Sequence, residues 1–372
     1  MLFGGTSGAQ TPAPCVHLSF GVDTTLPIVR DIARLTQAYL LRPDTSAQSR
    51  GLWSARSPFE ARLGDPATQA YQGFSATIIG ITGVGADESL YVVKVLHASA
   101  DSNGTGVHPL ALQRFDAVRA PSAPYGWQLA SPLPRLTHEW AHRSYGRVTF
   151  WYAPGVVPSP KRARLASAFV DSVARLFAVR APERLDAYIT HTTDEGERLL
   201  GLDFFVDGSG PGTGVGGRSL PHAGVLLLGD PRVGEAYFHE FVHAVLGPMF
   251  PGTNYLFSEG VAVWLGGSQA TTPQTMFRRL AQYQATHPII SLMDVLGGEA
   301  PGGASATAAL YATNGLIIDA IYRRSGMAGL RRFAMLHGEP ASLVARLSEF
   351  VGPIGPDVNA WWRAEAAAAA RR

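Results

Sequence analysis

The hydrophobic pattern of this 372-residue chain changes period partway along. Residues 77–82, 89–97, 110–118 and 127–130 alternate apolar with polar positions and favour β-branched side chains, and turn-forming clusters such as Ser102-Asn-Gly-Thr-Gly106 separate them. A two-residue period puts one face of each segment on a core and the other in water, the pattern of an antiparallel sheet. One helix precedes this sheet: Ile28, Ile32, Leu35 and Tyr39 recur at helical spacing, and Arg42-Pro43-Asp44 stops them. From Asp230 onward the apolar positions recur every three or four residues, so the rest of the chain reads as helices. Strands and helices segregated in this way make an α+β protein.

Pro-rich stretches, Pro121-Ser-Ala-Pro124 and Ser131-Pro-Leu-Pro134, mark a boundary near residue 140. The expected parts are a loose start over 1–14, a small accessory domain over 15–140 and a second domain over 141–372. In the second domain residues 147–152 read as a strand, and Ser159-Pro160 opens a helix with Leu165, Phe169, Val173 and Phe177 on its buried face. Residues 184–190 and 202–206 follow as strands. A Gly-rich loop then covers 208–217, and 223–228 is a last strand.

Composition narrows the chemistry. Lys+Arg 31 against Asp+Glu 29 leaves a net charge of +2, too little basic excess for a protein that holds a phosphate backbone, so nucleic acid is not an expected partner. The single cysteine, Cys15, excludes an internal disulfide and a cysteine-based zinc knuckle, so any metal must be held by His, Asp or Glu. No run of about 18 apolar residues is present, so no transmembrane segment is expected. The small residues of the first fourteen positions look like the tail of a secretory signal, which points to an extracellular or periplasmic location.

The chemistry-bearing motif is His239-Glu240-Phe241-Val242-His243. Asp230-Pro231 ahead of it and Gly247-Pro248 behind it predict a helix over 232–246. Side chains four apart lie on one helical face, so both imidazoles can reach one zinc ion, while Glu240 projects about 100° around the axis towards a water at the same place. Two histidines do not make a catalytic zinc site. A metzincin would carry Gly at 246 and His at 249, where this chain has Leu246 and Met249. What does follow is Phe257-Ser-Glu-Gly-Val-Ala-Val-Trp-Leu265, a short helix with Glu259 in its first turn, Val261, Trp264 and Leu265 on its apolar side, and 16 positions between Glu259 and His243 for the chain to turn back.

His239-Glu240-x-x-His243 followed by Ser258-Glu259-Gly260-x-Ala262-x-Trp264 resembles the gluzincin zinc metallopeptidases, most closely the peptidase-MA-like domains of bacterial proteins. The likeness runs from about residue 147 to about 338. It implies a thermolysin-like second domain, Zn2+ held by His239, His243 and Glu259, and Glu240 as the general base that activates water for hydrolysis of a peptide or protein substrate. It also implies a tyrosine that stabilises the oxyanion, for which Tyr311 is the best match and Tyr255 the alternative. Three departures stand out: Tyr311 lies four rather than three positions before Gly315, Val263 occupies the place of an aspartate that orients a histidine, and no Gly-x-Met-Glu-Asn segment is present. The first domain looks like the cone-shaped nuclear-transport-factor-like fold.

His138-Glu139-Trp140-Ala141-His142 repeats the five-residue pattern, but Pro134 and Gly146 leave room for only about three helical turns and no Glu-Gly helix follows, so it reads as an interdomain linker with solvated histidines. The other histidines lack partners at ligand spacing, although His191 and His222 could enter the cleft from loops. The sequence keeps open two other functions, an inert zinc-binding pseudo-peptidase acting as a binding module and a zinc amidase acting on a non-protein amide. Residues 223–228 are the expected place for an extended peptide, and the 208–217 loop a flap above it.

Overall fold

A computed structural model describes residues 15–41, 51–65, 71, 74–86, 88–100, 106–206, 216–230, 232–268 and 270–372. The expected loose start, the Arg42-Pro43-Asp44 stop, the Ser102–Thr105 turn and most of the Gly-rich loop lie outside them. The chain is a mixed α+β protein with two mixed sheets. It divides into two compact units, Leu2–Trp140 with Asp194–Gly208, and Ala141–Thr193 with Ser209–Arg372.

In the first unit strands β1 (Val16–Leu18), β2 (Ser75–Gly83), β3 (Leu90–Ala100), β4 (Val107–Arg119) and β5 (Trp127–Ala130) pair in chain order. All pairs are antiparallel except β1 with β2, so the sheet is mixed rather than purely antiparallel. Helix α1 (Pro27–Leu40) begins with a proline in its first turn and buries Val29, Ile32, Leu35 and Tyr39 against β2 and β5. Strand β4 is 13 residues long, and β5 covers only Asp116–Arg119 of its edge. The rest of that edge would leave unpaired backbone groups. It is taken by Leu202–Phe205, which pairs antiparallel with Ala111–Gln113, so the segment read as a strand of the second half completes the first sheet.

The second sheet runs β10-β11-β8-β7-β6, where β6 is Ala141–Tyr145, β7 Val148–Tyr152, β8 Leu185–Ile189, β10 Gly217–Leu220 and β11 Val225–Leu228, with Leu202–Phe205 as β9. The central strands β7, β8 and β11 are parallel and almost wholly buried, as expected of strands covered on both faces. Between β7 and β8 the chain crosses over through α2 (Pro160–Phe177), capped by the Ser159 side chain. Its buried face is Ala163, Ala166, Val170, Val173, Ala174 and Phe177. Leu165, expected inside, is 50% exposed, because three alanines let the helix sit close to its neighbours and so set the facing stripe. Of residues 138–142, expected in a linker, Ala141 and His142 lie in the edge strand β6.

The predicted helix over 232–246 begins six residues late. Gly234 has φ of 49° inside a short 3-10 turn, Tyr237 leaves the helical region, and α3 spans Phe238–Leu246. Asp230 accepts from the Arg232 N–H at 3.0 Å and pairs with the same residue's guanidinium, so it caps that turn rather than the helix. Buried Glu235 within the turn accepts from the Ser159 N–H, which ties the approach to α3 to the start of α2.

In the first unit His97 is only 2% exposed, with Nε2 3.0 Å from Gln113 Oε1 and Nδ1 without a partner. Burial lowers its pKa below the ordinary 6.5, against the opposing pull of the Gln113 bond and the Asp65 charge. The unfolded chain therefore takes up this proton first, and the stability tied to a neutral His97 is complete above pH 6.5 and falls away as pH drops towards the folded value. Amide exchange in β3 and β4 is expected to accelerate relative to the rest of the chain between pH 7 and pH 5, after correction for intrinsic rates, and a His97→Gln variant should lose most of that difference. An unchanged difference in the variant would remove His97 as its cause.

Candidate metal centre

Three side chains converge in the second unit. His239 and His243 stand one turn apart on α3, and Glu259 comes from α4 (Tyr255–Gly266). Asn254 caps α4 by accepting from the Phe257 N–H at 2.8 Å and anchors it by donating to the carbonyls of Phe333 and Leu336. This cap starts the helix two residues earlier than Phe257, so Glu259 lies in the second turn rather than the first. Trp264 and Leu265, expected on the apolar side, are only partly buried, whereas Val261, Ala262 and Val263 are fully so.

Close helix packing puts Glu259 there. Helix α4 packs directly against α6 (Ala304–Ala334), which is broken at Gly326, and α5 (Pro273–Thr286) packs on α6 beside it. A Cβ on Gly260 would stand 2.6 Å from Ile318 Cγ1 and 2.7 Å from the Asn314 carbonyl oxygen, and one on Gly315 would stand 2.5 Å from Val263 Cγ1. Each helix thus presents a glycine where the other presses. The Ser-Glu-Gly motif carries its glycine for packing and its glutamate for the site.

The three donor sets meet at tight spacing. His239 Nε2 is 3.1 Å from His243 Nε2 and 3.2 Å from Glu259 Oε2, and His243 Nε2 is 3.5 Å from Glu259 Oε1. Ligand atoms about 2.0–2.1 Å from one tetrahedral zinc ion stand roughly 3.3 Å apart, so the spacing of these side chains suits such an ion. His239 Nδ1 donates to the Gly267 carbonyl at 2.8 Å, and His243 Nδ1 lies 3.3 Å from Ser258 Oγ. The carbonyl holds the proton on His239 Nδ1 and turns Nε2 towards the cluster, the orientation found in metal-ligating histidines. Among the described residues this is the group of His, Cys, Asp and Glu side chains placed to hold a metal ion.

Charge preferences agree with the geometry. Burial opposes the ionised form of Glu259, but hydrogen bonds from His239 and His243, and their charges, hold its carboxyl well below the usual range. Burial also opposes a charged His239, yet the Glu259 bond and the Glu240 and Glu259 charges lift its pKa to about 9. The cluster favours positive charge at its centre. Glu240 is 4% exposed, and burial raises its pKa against the charges of His239, His243 and Arg218. It packs against β10 so tightly that a Cβ on Gly217 would stand 2.8 Å from Glu240 Cγ. Tyr311, on α6, has its ring 6.0 Å from that of His239 and its hydroxyl hydrogen-bonded to Tyr255. Burial and the Glu259 charge raise the Tyr311 pKa far above the ordinary value, so it remains a protonated donor.

Other expectations resolve locally. His138 ends a short helix, Leu133–Thr137, and His142 lies on β6 stacked over Trp151 at 4.3 Å, so the repeated pattern is not helical and both histidines are exposed. His191 is exposed and bonds the Pro154 carbonyl at 3.0 Å, and His222 is exposed. Strand β11, expected to receive a peptide, is flanked by β10 and β8 and offers no free edge; among the described residues the sheet ends at β10. Sequence reasoning missed Ser258, the Gly267 carbonyl and Arg218. A hydroxyl beside the motif glutamate was visible as a signal for Ser258, whereas a backbone carbonyl leaves none. No protein-family model matches the chain, and no curated protein matches it.

The full chain is expected to bind one equivalent of zinc by elemental mass spectrometry, with loss in His243→Ala and Glu259→Ala. Gly260→Val should force α4 away from α6, at a cost of about 1–3 kcal/mol in stability, and weaken zinc binding measured against a chromogenic chelator. Undiminished zinc affinity in Gly260→Val would disconnect the helix packing from the site.

Proposed function

We propose that the protein is a zinc-dependent peptidase of the gluzincin type, with a thermolysin-like second unit and a nuclear-transport-factor-like first unit. The observation that carries this reading is the 3.1–3.5 Å spacing of two imidazole nitrogens and a carboxylate, with Glu240 on the same helix. His239, His243 and Glu259 would hold the ion, which supplies Lewis acidity to a substrate carbonyl and makes water more acidic.

The chain's own groups account for the rest. Glu240, one step round the helix from His239, takes the proton from the attacking water and returns it to the leaving amine. Burial raises the proton affinity of the carboxyl, which favours the first transfer, and the charges of His239, His243 and Arg218 oppose that rise. Tyr311 donates to the oxygen that gains charge in the transition state, with Tyr255 fixing its hydroxyl. An extended peptide adds as a further strand on β10, whose Gly217 lies directly against Glu240. The same machinery would hydrolyse a non-protein amide, and a substrate with a peptide backbone is favoured because, among the described residues, β10 ends its sheet and its Gly217 adjoins the base.

Glu240→Gln should retain one equivalent of zinc and lose about 10²–10⁴-fold in kcat. Tyr311→Phe should lower kcat more than it raises KM, the mark of a contact made in the transition state. Absence of cleavage by the zinc-loaded wild type across an unbiased peptide library would overturn the peptidase reading and leave a zinc-binding module.

A further inference from the structure

A cavity of about 550 Å³ lies beside the metal cluster, between α5, the start of α6 and the turn at Ser268–Thr271. Two contacts join it to the site. Tyr311 lines it while standing over His239, and Ser268 lines it immediately after Gly267, whose carbonyl fixes His239. The mechanism above makes no use of this space.

Its walls have a definite chemistry. Met276, Leu280, Tyr283 and Ala309 are all buried and form an apolar floor. Arg279 is the one permanently charged lining residue, and no Asp or Glu lines the cavity. The Arg279 side chain is exposed at the rim, where it donates to Thr271 Oγ1 at 3.3 Å, and among the described residues no carboxylate pairs with it. A pocket of several hundred Å³ with an apolar floor and one oriented cation suits an apolar body carrying a carboxylate at its outer end. It disfavours a cationic group, which would lose hydration without finding an anion.

We infer that this cavity is a specificity subsite taking a bulky apolar side chain next to the scissile bond, with Arg279 binding a carboxylate alongside it. That carboxylate belongs either to an acidic neighbouring residue of the substrate or to the substrate's own C-terminus. The inference rests on the peptidase reading for its link to cleavage, but the binding property of the cavity does not.

The test therefore has two arms on the full-length chain. In the first, 3-phenylpropionate, 3-phenylpropan-1-ol and 3-phenylpropan-1-amine are titrated against chelator-stripped protein by ligand-observed NMR. The acid should bind most tightly and the amine least. Ala308→Trp, at an exposed lining position, should weaken all binding at least tenfold, and Arg279→Glu should reverse the order of acid and amine. No binding, or binding indifferent to both variants, would overturn the site. In the second, zinc-loaded protein is given peptides with Phe, Gly or Lys beside the cleaved bond, each followed by Glu, by Gln or by a free C-terminal carboxylate. A preference of tenfold or more in kcat/KM for Phe with a carboxylate, lost in Ala308→Trp and inverted towards basic neighbours in Arg279→Glu, supports the inference, and comparison of the Glu with the C-terminal series identifies the source of the carboxylate. Cleavage without that preference overturns the subsite while leaving the peptidase intact; fragment binding without any cleavage overturns the peptidase reading and the subsite role, and leaves the cavity as a binding site.

Discussion

A partly buried carboxylate held between two imidazoles is the interaction on which the second unit turns. Removing an ionised carboxylate from water costs several kcal/mol even after relaxation, and here Glu259 is sequestered at the meeting of α3, α4 and α6. Without a cation the cost is met by a proton on the imidazole side, which is why His239 holds its proton to about pH 9. A divalent ion meets the same requirement with two charges and with geometry that the nitrogens and oxygens already have. The 3.1–3.5 Å spacing of these atoms is close to that which one tetrahedral ion requires, and a site already arranged for its ligand loses less binding free energy to reorganisation.

That convergence is a product of packing as much as of the ligands. Helix α3 leans on the buried parallel strands through Phe241, whose ring is 6.3 Å from that of Phe150. On its other side α4 comes so close that a Cβ on Gly266 would stand 2.5 Å from the His239 backbone nitrogen. The short distance that admits Gly266 also brings the Gly267 carbonyl within reach of His239 Nδ1. One close approach therefore carries Glu259 towards the two histidines and orients His239 through the Gly267 carbonyl.

How much of this was legible in the sequence follows the range of the interactions involved. The pairing of His239 with His243 is a one-turn relation that spacing alone reveals, whereas Glu259 could be named only through the family resemblance that the Ser-Glu-Gly motif carries. The start of α3 could not, because Asp230 and Pro231 imitate a helix opening while Gly234 and Tyr237, with their non-helical backbone, redirect the chain. Likewise β9 carries the strand pattern of its surroundings, and only the length of β4 decides which sheet it joins. The Leu165 error has a similar origin: size suggests burial, whereas Ala163, Ala166 and Ala174 define the face that fits. The repeated His-Glu-x-x-His at 138–142 makes the same point in reverse, since an identical pattern divided between a helix end and a strand brings no two imidazoles together.

The edge strand and the base are fitted to each other more closely than either is to solvent. Any side chain at 217 would press on Glu240 Cγ and on the Tyr237 ring, so the backbone of β10 lies directly against the residue proposed to handle the proton. Burial that close drives Glu240 towards its neutral form, which would silence a base; the next residue, Arg218, adds a positive charge that pulls the other way. Backbone approach and base strength are thereby coupled at two consecutive positions. A substrate strand laid along β10 would exclude further water from Glu240 and shift the balance again, raising its proton affinity at the stage when a proton must be taken.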